Sequence, residues 1–262
     1  MFVKKTMKQI LVLFSLLFFC SCAKEYIEGE GPVINDQTLD IKSFSKLTVD
    51  GPFEIHLTQG EEQSVTITSE QNIIDRTNKV VKEDKWNIHL QDGEYKNIAP
   101  KLNITISQLS NLEVRGGATV YMSSWNTNNK EISLLTEAGK LVTESPFVAK
   151  NVRINMNNGA NFTLPKMATD SVFIVGDNIE IASITGTANY LNIQHQGHGR
   201  INTTGLKADS VYVNLTDGSK VNVYVNKYLD VTINNFGRVG YYGEPEEVKQ
   251  NISGTGSLNH YN

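Results

Sequence analysis

The sequence predicts an all-β protein: a single-stranded, right-handed parallel β-helix (β-solenoid) with a less regular, β-rich N-terminal part. Three observations carry this expectation. Val, Ile, Thr, Asn and Ser crowd the chain, while helix formers rarely cluster at helical spacing; β-branched residues suit a pleated surface. Apolar and polar residues alternate over many short runs, the period of a strand with one buried face. Glycines recur at a near-constant interval through the second half, as in a coil repeated along an axis.

The first 22 residues, MFVKKTMKQILVLFSLLFFCSC, stand outside that fold. Lys4, Lys5 and Lys8 form a basic start, and Ile10 to Phe19 is an apolar run broken only by Ser15. Such a run is shorter than the ~20 residues that span a bilayer and suits a signal-peptide core. Residues 1–21 are therefore read as a leader. Ser21, a small residue, precedes Cys22. This junction resembles the lipobox of bacterial lipoproteins, although Phe19 stands where leucine is commonest. The resemblance implies that Cys22 is lipidated and becomes the first residue after cleavage; Cys20, behind the bulky Phe19, fits less well. Each buried methylene of an acyl chain adds ~0.8 kcal/mol of membrane affinity. No cysteine follows Cys22, so neither disulfides nor cysteine–zinc sites are expected beyond it.

Residues 22–38 are read as a flexible tether: Gly29, Gly31, Pro32 and three glutamates lie here without an apolar period. Residues 39–262 form the expected solenoid domain. Alternation runs through Leu47, Val49, Phe53, Ile55 and Leu57, then Val65 and Ile67, then Trp86, Ile88 and Leu90, then Leu102, Ile104 and Ile106. Asp50-Gly51, Gln59-Gly60 and Asp92-Gly93 supply turns. One short helical turn is expected between Ser69 and Lys79. Beyond residue 110 the turn glycines are Gly117, Gly139, Gly159, Gly176, Gly197, Gly218, Gly237 and Gly256, a period near 20 residues. A single coil cannot bury its apolar face; stacked coils can, with strands ~4.8 Å apart. The first apolar residue after each turn then forms an interior stack: Val120, Leu141, Phe162, Ile179, Ile201, Val221 and Val239. Asn157, Asn158, Asn178, Asn192, Asn214, Asn234 and Asn235 are candidates for corner ladders. An antiparallel sandwich also uses short strands and glycine turns, but it needs no constant period.

Three stretches resemble the head GIN domain family of auto-transporter adhesins, a domain of unknown function common in Bacteroidetes. They are FSKLTVDGPFEIHLTQGEEQSVTITSE (residues 44–70), the strand pair around LSNLEVRGGATVY, and VGYYGEPEEVKQNISGTGSLN. In the last, Val239, Tyr241, Gly243, Pro245, Gly254 and Gly256 fit the family pattern. The resemblance covers roughly residues 40–260 and implies a β-helical fold and a cell-envelope location. With the lipobox it implies an outer-membrane lipoprotein, periplasmic or surface-facing, whose membrane contact is the lipid. It brings no set of binding residues.

Charge and motifs exclude several functions. The chain has 24 basic and 28 acidic residues, and without the three leader lysines 21 basic ones remain. An acidic domain offers nucleic acid no electrostatic footprint. No phosphate loop, dinucleotide fingerprint or nucleophile elbow is present. His195 and His198 flank Gly197 without a third ligand nearby, so they are read as surface turn histidines. Asp177, Asp209, Asp217 and Asp230, with Arg200 and Lys220 at equivalent post-turn positions, are the sparse candidates for a carboxylate pair and base. Asn-x-Ser/Thr triplets at Asn103, Asn161, Asn202, Asn214 and Asn251 reflect composition. No cofactor, metal site or catalytic residue is assigned. The leading expectation is non-enzymatic adhesion or envelope assembly, with a glycan or an envelope protein as partner. A glycan-binding module is the alternative, and a polysaccharide-active enzyme the remoter one. Tyr212, Tyr224, Tyr228, Tyr241 and Tyr242 lie in the C-terminal coils; Tyr241 and Tyr242 are the candidate ligand surface, since rings offer flat apolar area with a polar tip.

Overall fold

The computed structural model of the protein describes residues 26–128, 130–144 and 146–262; the leader and Cys22 lie outside the described residues. Alternation within each strand sends one set of side chains inward and the other outward. Equivalent strands of successive coils pair in parallel and in register, so every coil buries its apolar face against the next. The result is the expected β-solenoid.

The first coils are not laid down in chain order. β1 (Val33–Thr38), β2 (Lys46–Asp50), β3 (Glu54–Gln59) and β4 (Ser64–Glu70) precede one short helix, α1 (Gln71–Arg76). Then come β5 (Val81–Lys82), β6 (Lys85–Ile88), β7 (Lys101–Ile106), β8 (Asn111–Arg115) and β9 (Thr119–Met122). β2 lies between β6 and β8, and β3 lies between β7 and β9. The first coil made is therefore enclosed, and β6 with β7 slides in beneath it as the terminal coil. β4 pairs antiparallel with β7, and β1 pairs antiparallel with β4. α1 packs on β4 and buries Ile73 and Ile74. This flap closes the terminal coil, as a solenoid end requires. It also corrects the tether: residues 33–38 are strand, and Ile27 bridges Tyr95. That pairing uses main-chain groups at the edge of β4 and needs no apolar alternation, so no sequence period announced it.

The later coils follow chain order. β10 (Trp125–Asn126), β11 (Glu131–Glu137), β12 (Lys140–Thr143), β13 (Phe147–Val148) and β14 (Asn151–Asn157) lead into four long strands. These are β15 (Asn161–Asp177), β16 (Ile181–Gln196), β17 (Arg200–Thr216) and β18 (Lys220–Asn235), each bent at register shifts. β19 (Arg238–Tyr242), β20 (Glu247–Gly254) and β21 (Ser257–His260) finish the stack. One interior column runs Leu47, Leu112, Leu134, Ile154, Ile174, Ile193, Val213, Val231. All are buried, and each such side chain stabilises by ~1.5–3 kcal/mol. The column ends at the polar Gln250.

The expected interior stack holds at Val120, Leu141, Phe162, Ile201, Val221 and Val239. Ile179 is not part of it; Ala182 fills that level between Phe162 and Ile201. The corner is set by a left-handed backbone residue rather than by glycine alone. Ala138, Asn158, Asn178, Asp217 and Asn235 (φ 49°, 53°, 48°, 73° and 75°) share this place with Gly116, Gly197 and Gly254. Asparagine and aspartate enter that region more readily than other side chains. Counting glycines therefore slips at Asn178, where no glycine adjoins the corner residue. Gly176 lies two residues early, inside β15 and facing the core between Met156 and His195. Asn192 and Asn214 stand within β16 and β17, away from the corners.

Candidate ligand-binding face

The second halves of β15 to β18 form one broad parallel sheet whose outer face alternates two columns. One column runs Ser171, Tyr190, Ser210, Tyr228; two residues along, the other runs Phe173, Asn192, Tyr212, Asp230. Each coil thus presents one aromatic ring, in alternate columns, and the rings meet diagonally. Phe173 and Tyr190 have centroids 5.6 Å apart, Tyr190 and Tyr212 5.2 Å, and Tyr212 and Tyr228 5.5 Å. The planes are tilted by 34° to 44°, a favourable geometry contributing ~0.5–1.5 kcal/mol per pair. Cations close both ends: the Arg153 guanidinium lies 4.9 Å from the Phe173 ring and Lys249 Nζ 5.3 Å from the Tyr228 ring. All four rings are half-buried, keeping an open edge or face.

Amides and hydroxyls flank the ladder. A shallow groove of 220 Å³ beside Tyr212 is lined by Asn192, Gln194, Asn214, Asp230 and Thr232. Asn192 donates to the Tyr190 hydroxyl at 3.2 Å, and the Tyr228 hydroxyl donates to Asp230 at 3.4 Å. Partial burial, then neighbouring Tyr228 and Tyr190, raise the Tyr212 phenol above its ordinary pKa, so it stays a neutral donor. Flat apolar rings beside neutral amides are the chemistry that meets a sugar's C–H face and its hydroxyls.

Residues 43–245 match the family described as "Putative auto-transporter adhesin, head GIN domain". The chain belongs to this family. Solved structures share the fold of this head GIN domain at low identity. A "putative lipid binding protein" from Parabacteroides distasonis is 19% identical with a TM-score of 0.83, over 91% of this chain and 100% of that one. A "putative adhesin" from Parabacteroides merdae is 15% identical with a TM-score of 0.79, over 91% and 100%. Another "putative adhesin" from Parabacteroides distasonis is 17% identical with a TM-score of 0.77, over 90% and 100%. At these identities the likeness is one of fold. No curated protein matches the chain.

In this head GIN domain the sequence-expected residues scatter. Tyr241 continues the interior column of Val223 and stacks on His260, with centroids 4.6 Å apart. Tyr242 follows Tyr224 on the outer side and meets Tyr261 at 5.5 Å. Both belong to the C-terminal end of the stack, apart from the ladder. Tyr212 and Tyr228 belong to the ladder; Phe173 and Tyr190 were missed. Counted back from the left-handed corner residues 178, 197, 217 and 235, the four rings lie 5, 7, 5 and 7 positions before the corner. That alternation was available in the sequence once the corner was placed.

His195 is not the surface histidine expected: it is 4% exposed and faces the core. The buried Ser219 hydroxyl donates to the Gly197 carbonyl at 2.9 Å. Nδ1–H of His195 therefore donates to Ser219 Oγ, and Nε2 is left as an acceptor without a partner. Burial lowers the His195 pKa, against the opposing pull of Asp177. His198 is exposed. The aspartates are dispersed. Asp177 accepts from Asn178 and Gln196, Asp209 pairs with Lys227 at 2.7 Å, Asp217 holds a corner, and Asp230 faces outward. No group of three metal-ligating side chains occurs among the described residues.

Proposed function

We propose that this head GIN domain is a non-enzymatic adhesion module of the cell envelope that grips saccharide through the Phe173–Tyr190–Tyr212–Tyr228 ladder. The ladder carries the reading: aromatic rings aligned on one exposed sheet, bordered by neutral amides, match extended sugar chains better than they match any reacting group. Family membership supports an adhesive role. Acylation of Cys22 would hold the domain at the outer membrane, and that part of the proposal rests on the leader alone.

A glycan array probed with the full chain tests it. The expected result is saturable binding to one glycan class, weakened at least about tenfold, or ~1.4 kcal/mol, by Phe173→Ala or Tyr212→Ala. Loss on Tyr241→Ala or Tyr242→Ala instead would move the ligand surface to the C-terminal end. Turnover of the bound glycan would refute the non-enzymatic reading. Palmitate labelling checks the anchor, which fails if Cys22→Ala still incorporates label.

A further inference from the structure

A different face carries a second pattern. Just past the corners, the first outward position of β17, β18 and β19 holds Arg200, Lys220 and Arg238, paired in register. Three exposed cations are thus stacked one rung apart, ~4.8 Å. Like charges placed directly opposite on neighbouring strands destabilise a sheet. Several cations elsewhere on the surface are ion-paired: Lys85 with Glu113, Arg115 with Glu137, Arg153 with Glu131, Lys101 with Glu54, Lys227 with Asp209. Arg200, Lys220 and Arg238 alone form an unpaired run of three, with no side-chain hydrogen bond or ion pair among the described residues. In a chain with more acidic than basic residues, that run is not a by-product of composition.

The cations border a groove of 470 Å³. Its wall is built around an absent side chain. Gly218 sits between the rings of His198 and Phe236, where an added Cβ would lie 2.8 Å from Phe236 and 3.2 Å from His198. Phe236 is 52% exposed, an apolar ring left open to solvent. Glu180 is the one carboxylate on the groove wall. Two residues along the same strands, Asn202 and Asn222 form a parallel amide column. A line of cations beside a line of amides and an open ring matches a linear chain that carries repeated anions and hydroxyls.

We propose that the Arg200–Lys220–Arg238 ladder and its groove bind an anionic polysaccharide, its carboxylates or sulfates on the cations and its hydroxyls on the amide column. This site lies across the corner from the aromatic ladder, and its test is independent of that reading.

The full chain is titrated calorimetrically with polygalacturonate, dextran sulfate and neutral dextran, and by flotation with phosphatidylglycerol vesicles. The expected result is binding to at least one of the two polyanions and not to dextran, weakening as salt rises because exposed charges are screened. Carboxylate and sulfate are separated by which polyanion binds. Changing Arg200, Lys220 and Arg238 together to Glu should cost at least about tenfold in affinity, and the milder Lys220→Gln alone about threefold. A charge-matched control, Lys42, Lys46 and Lys82 changed to Glu, should stay within about twofold. Melting curves establish that each variant is folded, and the single Gln variant decides if the triple one is not. The proposal fails if neither polyanion binds, if the control set loses as much as the ladder set, or if only the vesicles are bound. Loss on Tyr212→Ala with the basic ladder silent would support the aromatic site and reject this one.

Discussion

The two ends of the solenoid solve the same problem differently. At the N-terminal end the chain doubles back: β6 and β7 slide beneath β2 and β3, and β1, β4 and α1 cover the exposed coil. Among the described residues, no such flap covers the C-terminal coils. Two interior columns end in Gln250 and in Tyr241 stacked on His260, and three others end in Val248, Ile252 and Leu258, apolar side chains left partly exposed. One end is covered by a fold-back of the chain, whereas the other leaves its last coil partly exposed. Long-range contacts hold the first, whereas the second depends only on the coil beneath it, as in other repeat stacks.

That contrast can be broken first at Trp86, fully buried in the terminal N-terminal coil. Trp86→Ala should cost ~3–5 kcal/mol, and because the coil beside it was made earlier in the chain, the whole domain should melt lower in one transition. Val239→Ala, near the C-terminal end, should cost less and fray only the last coils. Hydrogen exchange by segment checks both; equal protection losses at the two ends would erase the distinction.

A smaller effect is expected midway, at Gly176. A Cβ there would lie 2.8 Å from the His195 ring, so Gly176→Ala overpacks the core by ~1–3 kcal/mol. His195→Met, which supplies a flexible side chain at that level, should relieve much of this in the double variant. Additive losses in a double-mutant cycle would show that the two positions are not matched in size.

The smallest effect is a dependence on acid. The fold holds His195 neutral, with a pKa lowered mainly by burial. Above the ordinary value of about 6.5 neither the folded nor the unfolded chain protonates this group, and its contribution is flat. Below it, the unfolded chain gains a proton that the folded one resists. Stability should therefore fall with pH from about 6.5 downward, by at most about 1.4 kcal/mol per unit, until the folded pKa is reached. Denaturant melts from pH 7.5 to 5 should show this slope in the native chain and lose it in His195→Met.

The alternating period and the repeat were legible from the residues because each strand must hide one face. So was the family, through the order of its turn motifs. The coil register was legible only in part: Gly117 and Gly139 sit at their corners, but Gly176 misled, because asparagine can adopt the same backbone and leaves no unique mark. Tyr212 and Tyr228 were visible as aromatic residues, yet their partners Phe173 and Tyr190 emerged only once neighbouring coils were aligned. Arg200 and Lys220 were recognised as equivalent positions, and Arg238 completed their line.

By itself the sequence determined the composition of each rung: which side chains point inward, how long a coil is, and that the coils must stack. Those properties are local, set by a two-residue alternation and a twenty-residue repeat. Only the tertiary structure decided which rung touches which. The insertion of β2 between β6 and β8, the diagonal meeting of four rings and the unpaired line of three cations all depend on register between segments distant along the chain. Main-chain hydrogen bonds between strands are nearly indifferent to residue type, so the choice of partner is written in the packing of the whole stack.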